Sequence, residues 1–419
     1  MAQPSPSRPR RRVVVLAVLV AVALLMLVMR WVSHPDRVAG LILAQAGDAL
    51  GLEISASGAS EYRLRGTPRL VIRDVVARQP GVYTPLLRAE RIHLELPWAT
   101  IRALGVDLTV KRIELDAPQL DLAALQRWQA TRPPSQTRIP TLTDGLQVVR
   151  GRVIGDGWSI EAIDLDLPAL YPQRAVAAHL RGRLVSGTTR MPFDVHAALT
   201  RPAARAGLGV AGTMSVVTAT WALPMAVTLS ARLYQGVEGL GLDRTKLAAD
   251  ARYRSAGTDL SFALGLAGPL RYSDGSLAIA PLGVALRGQG VMPQLDAHGR
   301  FAFAQDLALQ LDGRLASWPQ AWPALPAPIG QSDSPLPFVL DYRGPADLSG
   351  ISALQLQRDA TRFDGRFALP AVLDWIDAGA KGSPLPPLSG RLQTPRLEIA
   401  GAVLQGVEVD FGNEAAPLP

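Results

Sequence analysis

The chain has 419 residues, 48% hydrophobic and 19% charged, which is enough apolar material for a large core and excludes general disorder. It has no cysteine, so disulfides, Cys-based zinc sites, thiol nucleophiles and a lipidated Cys anchor are all excluded. The net charge of +7 is lopsided: residues 1–36 hold five arginines and one acid, and the nearly neutral remainder offers no basic footprint for nucleic acid. Arginine supplies all basic residues except Lys111, Lys246 and Lys381, and Asn413 is the one asparagine, a bias of GC-rich bacterial genomes.

Residues 1–12 read as a basic cytoplasmic tail carrying Arg8, Arg10, Arg11 and Arg12. Val13 to Met29 is unbroken apolar sequence. Residues 13–32 would rise about 30 Å as a helix, the thickness of a bilayer core. The arginines keep the N-terminus inside and send the rest across, with Trp31 at the far interface. The run is longer than a signal-peptide core and no small-x-small cleavage site follows it, so the sequence predicts a retained transmembrane helix.

Asp36 can cap a helix running to Leu50, with Gly51 as its stop. Beyond it the period changes to two. Arg91 to Leu96 alternates strictly between polar and apolar residues, as does Val106 to Val110; a slip at Lys111-Arg112 reads as a bulge before Ile113 to Asp116 resumes. Ile160 to Leu167 shifts phase at Ala162-Ile163. Further alternation covers Phe193–Leu199, Met225–Leu233, Leu247–Tyr253, Leu260–Leu264, Leu307–Leu315, Phe363–Leu369, Leu397–Ile399 and Val407–Phe411. Most gaps are too short for helical crossovers, so antiparallel meanders are expected. Short helices are expected at Trp98–Leu104, Asp121–Ala130 and Pro370–Asp377. Pro-rich stretches mark joints, chiefly 319–337, dividing the exported region into 33–131, 141–318 and 338–412. Gly-Arg-apolar triplets start at Gly151, Gly182, Gly299, Gly313, Gly365 and Gly390. They read as turn glycines opening strands with the Arg toward water, although composition alone would also produce them.

Motifs for chemistry are absent. His34, His93, His179, His196 and His298 form no ligand pair in sequence, so no metal site is expected. There is no nucleophile elbow, zincin pair or phosphate loop, and Gly288 to Pro293 departs from a dinucleotide fingerprint by placing Pro where the third Gly belongs. Asp164 and Asp166 share a strand face in a manner that solvation explains. The chain reads as a non-enzyme without a cofactor.

Leu87 to Leu122 runs from a charged Ala-Glu-Arg opening through a strand, a short helix and a second strand to Arg-Ile-Glu-Leu and a Pro-x-Leu-x-Leu ending. With the apolar anchor and the segment from Tyr62 to Val75, it resembles the N-terminal part of the AsmA family of Gram-negative inner-membrane proteins, a match covering residues 13–125. Phe363–Phe367 and Pro395–Phe411 look like the family's later strands. The resemblance implies a mostly β chain in which a transmembrane helix precedes a long, curved antiparallel sheet with few short helices. It also implies a periplasmic groove for phospholipid acyl chains, serving lipid transport or outer-membrane assembly beside envelope-assembly proteins. The type II secretion N protein, a docking accessory with similar organisation, is the alternative. Ile92, Leu94, Leu96, Ile113 and Leu115 are the candidate groove residues; pattern alone leaves open whether they line a groove or fill a closed core.

Overall fold

The computed structural model describes residues 43–412 except 45–46, 49, 58–60, 64–65, 103–108, 132–138, 204, 237–238, 256, 274, 320–324, 326, 328, 333, 346–347, 378–386 and 400–401. The basic tail, the apolar run 13–32 and Asp36 lie outside these residues. Among the described residues, no helix is long and apolar enough to cross a membrane. Leu43, Ala44, Gly47, Asp48 and Leu50 are helical, and Gly51 follows at φ 59°, where glycine ends a helix without a Cβ penalty. The fold is mostly β, in two compact units, Met1–Leu170 and Tyr171–Pro419.

The first unit holds β1 (Glu53–Ala56), β2 (Glu61–Arg63), β3 (Arg69–Arg78), β4 (Leu87–Glu95), α1 (Trp98–Arg102), β5 (Thr109–Val110), β6 (Arg112–Asp116), β7 (Gln119–Asp121), α2 (Leu122–Ala130), β8 (Thr141–Leu142), β9 (Leu146–Ile154) and β10 (Trp158–Leu167). Strand β3 pairs with β1 and β2 on one side and β4 on the other. Strands β6 and β7 together form the next line, followed by β9 and β10. Both β6 and β7 run parallel to β9, which corrects the wholly antiparallel expectation. The connection between β7 and β9 contains α2, whose first turn is capped by Asp121 accepting from the Ala124 N–H at 2.7 Å, so it can cross over and return in the same direction. The expected bulge at Lys111-Arg112 is instead a break: β5 pairs with β8 in a separate ladder while β6 joins the main sheet. The phase change at Ala162 is present, with φ 50° and a register shift between Ile160 and Ile163.

Ala162 is one of four described non-glycine residues of this unit at positive φ. Asp74, Ala117 and Arg150, at φ 50°, 45° and 56°, fall opposite one another through Glu90, and Arg150 Nη2 donates to Glu90 Oε2 at 2.8 Å. Apolar parity changes across this line. Leu70 and Ile72 are buried before it, and Val75 and Ala77 after it. Leu70, Ile72 and Val75 nevertheless form one cluster with Ile54, Ala56, Ile92 and Leu43.

The second unit is an antiparallel meander of fourteen strands, each paired with the next: β11 (Val176–Ser186), β12 (Thr189–Leu199), β13 (Gly207–Val217), β14 (Ala222–Gly236), β15 (Gly239–Arg254), β16 (Asp259–Ser273), β17 (Ser276–Gly288), β18 (Leu295–Phe303), β19 (Leu307–Leu315), β20 (Leu336–Gly344), β21 (Ile351–Arg358), β22 (Thr361–Ala368), β23 (Leu388–Ile399) and β24 (Ala402–Phe411), with α3 (Leu369–Asp377) between β22 and β23. The Pro-rich stretch 319–337 lies between two strands that pair in one sheet. Strands β19 and β20 on either side of it pair from Leu307↔Gly344 to Leu315↔Leu336, Trp318 packs on the cluster around Leu311 and Phe338, and Glu398 N–H donates to the Ala327 carbonyl at 2.8 Å. The boundary between the two compact units falls at Leu170 and Tyr171.

The Gly-Arg-apolar triplets are also placed differently from the expectation. Gly182, Gly299, Gly313, Gly365 and Gly390 sit within strands, and the glycine and apolar residue share one face while the Arg takes the other. A Cβ at Gly299, Gly313 or Gly390 would lie 1.8, 2.5 or 2.3 Å from the carbonyl oxygen of Gln310, Asp296 or Asp364 on the adjacent strand. These positions require glycine because the neighbouring backbone approaches on the apolar side.

Candidate functional site

Strand registers assign every residue of the second unit to one of two faces, because directly opposed residues point the same way. One cross-strand row starts at Ala178 in β11 and passes through Val210, Leu229, Leu266, Phe338 and Phe363 to Val409 in β24, with only apolar residues or glycine at each of the fourteen strands. A parallel row, from Leu180 through Val227, Leu264 and Leu295 to Leu336, has the same character. The reverse face carries charge and small polar groups. Arg287 donates to Asp296 at 2.6 Å, Arg391 to Asp410 at 2.8 Å and Gln310 to Asp341 at 3.0 Å, all exposed pairs worth little individually.

Among the described residues the apolar face is half-buried over most of its width, with Val227, Ala249, Leu315 and Leu336 of the second row buried. In the first row only Phe338, at 6% exposure, is buried; the others are half-buried. Among the described residues no large side chain is below 2% exposed. The densest packing lies around Leu282, Leu311, Leu315, Leu336 and Phe338, where Trp318 adds cover. A contiguous apolar strip of this extent, about 60 Å across fourteen strands at 4.8 Å spacing, far exceeds what monomeric soluble surfaces leave open. It can accept flexible hydrocarbon, and each methylene moved onto it from water gains about 0.8 kcal/mol.

The five candidate groove residues lie in the first unit. Ile92 opposes Leu115 and Leu94 opposes Ile113, so four of them meet on one face, continued by Leu70 and Ile72 on one side and Leu146 and Val148 on the other. Leu96 lies just past β4, its N–H donating to the Pro68 carbonyl at 3.0 Å. All five are half-buried. Toward β3 the face is covered, since Leu43 of the helical segment packs on Leu70, Ile72 and Val75, and Trp128 of α2 donates its indole N–H to the Leu50 carbonyl at 2.9 Å. The orientation residues Arg8, Arg10, Arg11, Arg12 and Trp31 lie outside the described residues.

Two polar clusters escaped the sequence reading. His179 and His196 oppose each other on β11 and β12 with rings stacked at 4.4 Å, and His179 Nε2 lies 2.6 Å from Asp194 Oδ1. That hydrogen bond, with the charges of His179, Arg181 and His196, holds the exposed Asp194 carboxyl below its usual range. The hairpin turn at Gly187-Thr188, which fixes this register, was the available signal. On the opposite face of the first unit from Ile92, His93 Nδ1 lies 3.1 Å from Glu114 Oε2, which also receives Arg91 at 3.2 Å. Burial alone would raise the Glu114 pKa, but the His93 hydrogen bond and the charges of His93, Arg112 and Arg91 outweigh it and bring it below the ordinary carboxylate value. Glu95 is nearly enclosed between Arg69 at 2.8 Å and Lys111 at 3.1 Å. Every acid of this cluster has a cationic partner, an arrangement that fixes strands rather than poising a proton. Among the described residues no group of three or more His, Asp or Glu could hold a metal ion. No family model, curated protein or solved structure matches the chain.

Proposed function

We propose that this is a membrane-anchored lipid-binding protein of the AsmA type, held in the inner membrane by residues 13–32 with its bulk in the periplasm. It binds phospholipid acyl chains on the apolar face of β11–β24 and serves phospholipid transport or outer-membrane assembly. The observation that carries the proposal is the row from Ala178 to Val409, apolar throughout and buried only at Phe338. A structural sheet would cover such a face with helices or a second sheet. An open one needs a mobile apolar ligand to keep it from water. The arginine cluster and the length of the apolar run support the anchor.

Native mass spectrometry of the full chain released from mild detergent tests this. Phospholipid adducts are expected on the wild-type protein, and their loss from a folded Leu229→Arg, Leu247→Arg variant. A chain that stays empty under all conditions would instead favour a docking subunit of an envelope machine.

A further inference from the structure

Among the described residues, one end of the first unit carries exposed apolar side chains on a short helix. Helix α1 follows the end of β4, where Leu96 bonds to Pro68 and the Trp98 indole N–H donates to the Gly66 carbonyl at 2.9 Å. Trp98 and Ile101, three residues apart on one helix face, are 42% and 38% exposed. Arg102 and Arg63 are exposed, whereas the described acids near this end are paired: Glu61 with Arg73, Asp144 with Lys111, and Glu95 with Arg69 and Lys111. An indole, an aliphatic group and arginines at one tip suit the boundary between lipid headgroups and acyl chains.

The described helical segment that precedes β1 runs toward this tip. Glu53 at the start of β1 pairs with Arg78, at the far end of β3 from α1. From there the helical segment runs back: Leu50 lies under Trp128, and Leu43, about 10 Å earlier, packs on Leu70, Ile72 and Val75. From Leu50 back to Leu43 the chain therefore runs toward the α1 end. The apolar run closes at Val32, and the residues from there to Leu43 reach at most about 35 to 40 Å when fully extended. The β3–β4 hairpin, with Tyr83 97% exposed, lies at the opposite end of β4, about 30 Å farther away.

We propose that Trp98 and Ile101 seat α1 in the surface of the same bilayer that the N-terminal apolar run enters, so that the first unit stands on the membrane by its α1 end. This rests on residues 13–32 spanning that bilayer. The test uses the full chain, which has no native cysteine, in phospholipid vesicles, with single cysteines at Leu24, Ile101, Arg102 and Tyr83 carrying an environment-sensitive fluorophore. Lipids spin-labelled in the acyl chain serve as quenchers. A probe at Leu24 reports the anchor. The expected result is quenching at Leu24, a blue-shifted and largely quenched emission at Ile101 and Arg102, and water-like, unquenched emission at Tyr83. Quenching at Leu24 without quenching at Ile101 and Arg102, or with quenching at Tyr83 instead, overturns the seating of α1 and leaves the anchor standing. An unquenched Leu24 removes the anchor and the seating with it. If the labelled Ile101→Cys chain fails to fold, the exposed Arg102 site decides alone.

Discussion

Ile72 in the first unit and Leu229 in the second both belong to alternating strands, yet Ile72 is 5% exposed in a cluster against which Leu43 packs, while Leu229 is half-buried in a row buried only at Phe338. Alternation tells which face is apolar. It does not tell what covers that face. In the first unit part of the cover is the chain itself; in the second the cover over most strands is, on our account, lipid.

The sharpest way to break this contrast is to place a charge on each face. Ile72→Asp buries an unpaired carboxylate and should cost on the order of 4 kcal/mol, enough to abolish the cooperative unfolding of the first unit in calorimetry. Leu229→Arg should leave the thermal midpoint nearly unchanged and remove bound lipid, because an open face offers the guanidinium a route to water. If Leu229→Arg unfolds the chain as Ile72→Asp does, the second face is a closed core. Leu94→Arg, on the half-buried continuation of the first unit's face, should fall between the two.

Next in size is the approach of neighbouring strands on the apolar side. Gly313→Val should destabilise by about 2 to 3 kcal/mol in urea unfolding, since its Cβ would meet the Asp296 carbonyl oxygen and the Ala297 Cβ at 2.5 and 2.6 Å. Gly187→Ala tests glycine in a different role, at a turn with φ 54° and open space around the Cβ, and should cost only about 1 kcal/mol.

The polar face of the first unit gives a pH signature. The Glu114 pKa is lower in the folded chain than when unfolded, so its contribution is complete above about pH 4.3 and is lost as pH falls through the lowered folded value. Glu114→Gln should therefore be less stable than wild type at pH 7, by about 1 to 2 kcal/mol for a lost charged hydrogen bond. The difference should close as the pH drops below about 4. A gap that persists unchanged at low pH would mean that Glu114 acts through packing. An effect as small as that of Gly187→Ala is expected at the α2 cap, where Asp121→Ala should cost about 1 kcal/mol by thermal melting.

Much of the strand content was legible because alternation over Leu307–Leu315 or Met225–Leu233 has no helical counterpart. Strand β13 was missed because Gly207, Gly209 and Ala211 blur its outer face, and β17 because its Ala and Gly positions do the same. The parallel pairing of β6 and β9 depends on contacts made after α2 returns the chain, which no local pattern encodes. The glycine triplets were visible but misread. A glycine that opens a strand and one that admits a neighbouring backbone look alike until the register is known. For the site, Ile92, Leu94, Ile113 and Leu115 share one face while Leu96 lies past the strand, and the wider apolar face lies on strands of which several, such as β14 and β19, were as plain in the sequence. What the sequence lacked was any sign of how deeply each strand face is buried.

The central claim is that lipid touches one face of the second unit and not the other, and it can be read one residue at a time. A photoreactive benzophenone side chain placed in turn at Ala226, Val227, Thr228 and Leu229 of β14, in full-length protein within intact membranes, would crosslink whatever lies against each position. Phospholipid adducts at 227 and 229 with none at 226 and 228 are the predicted result, following the two-residue period of the strand. Adducts at all four positions, or none at 227 and 229, would contradict it.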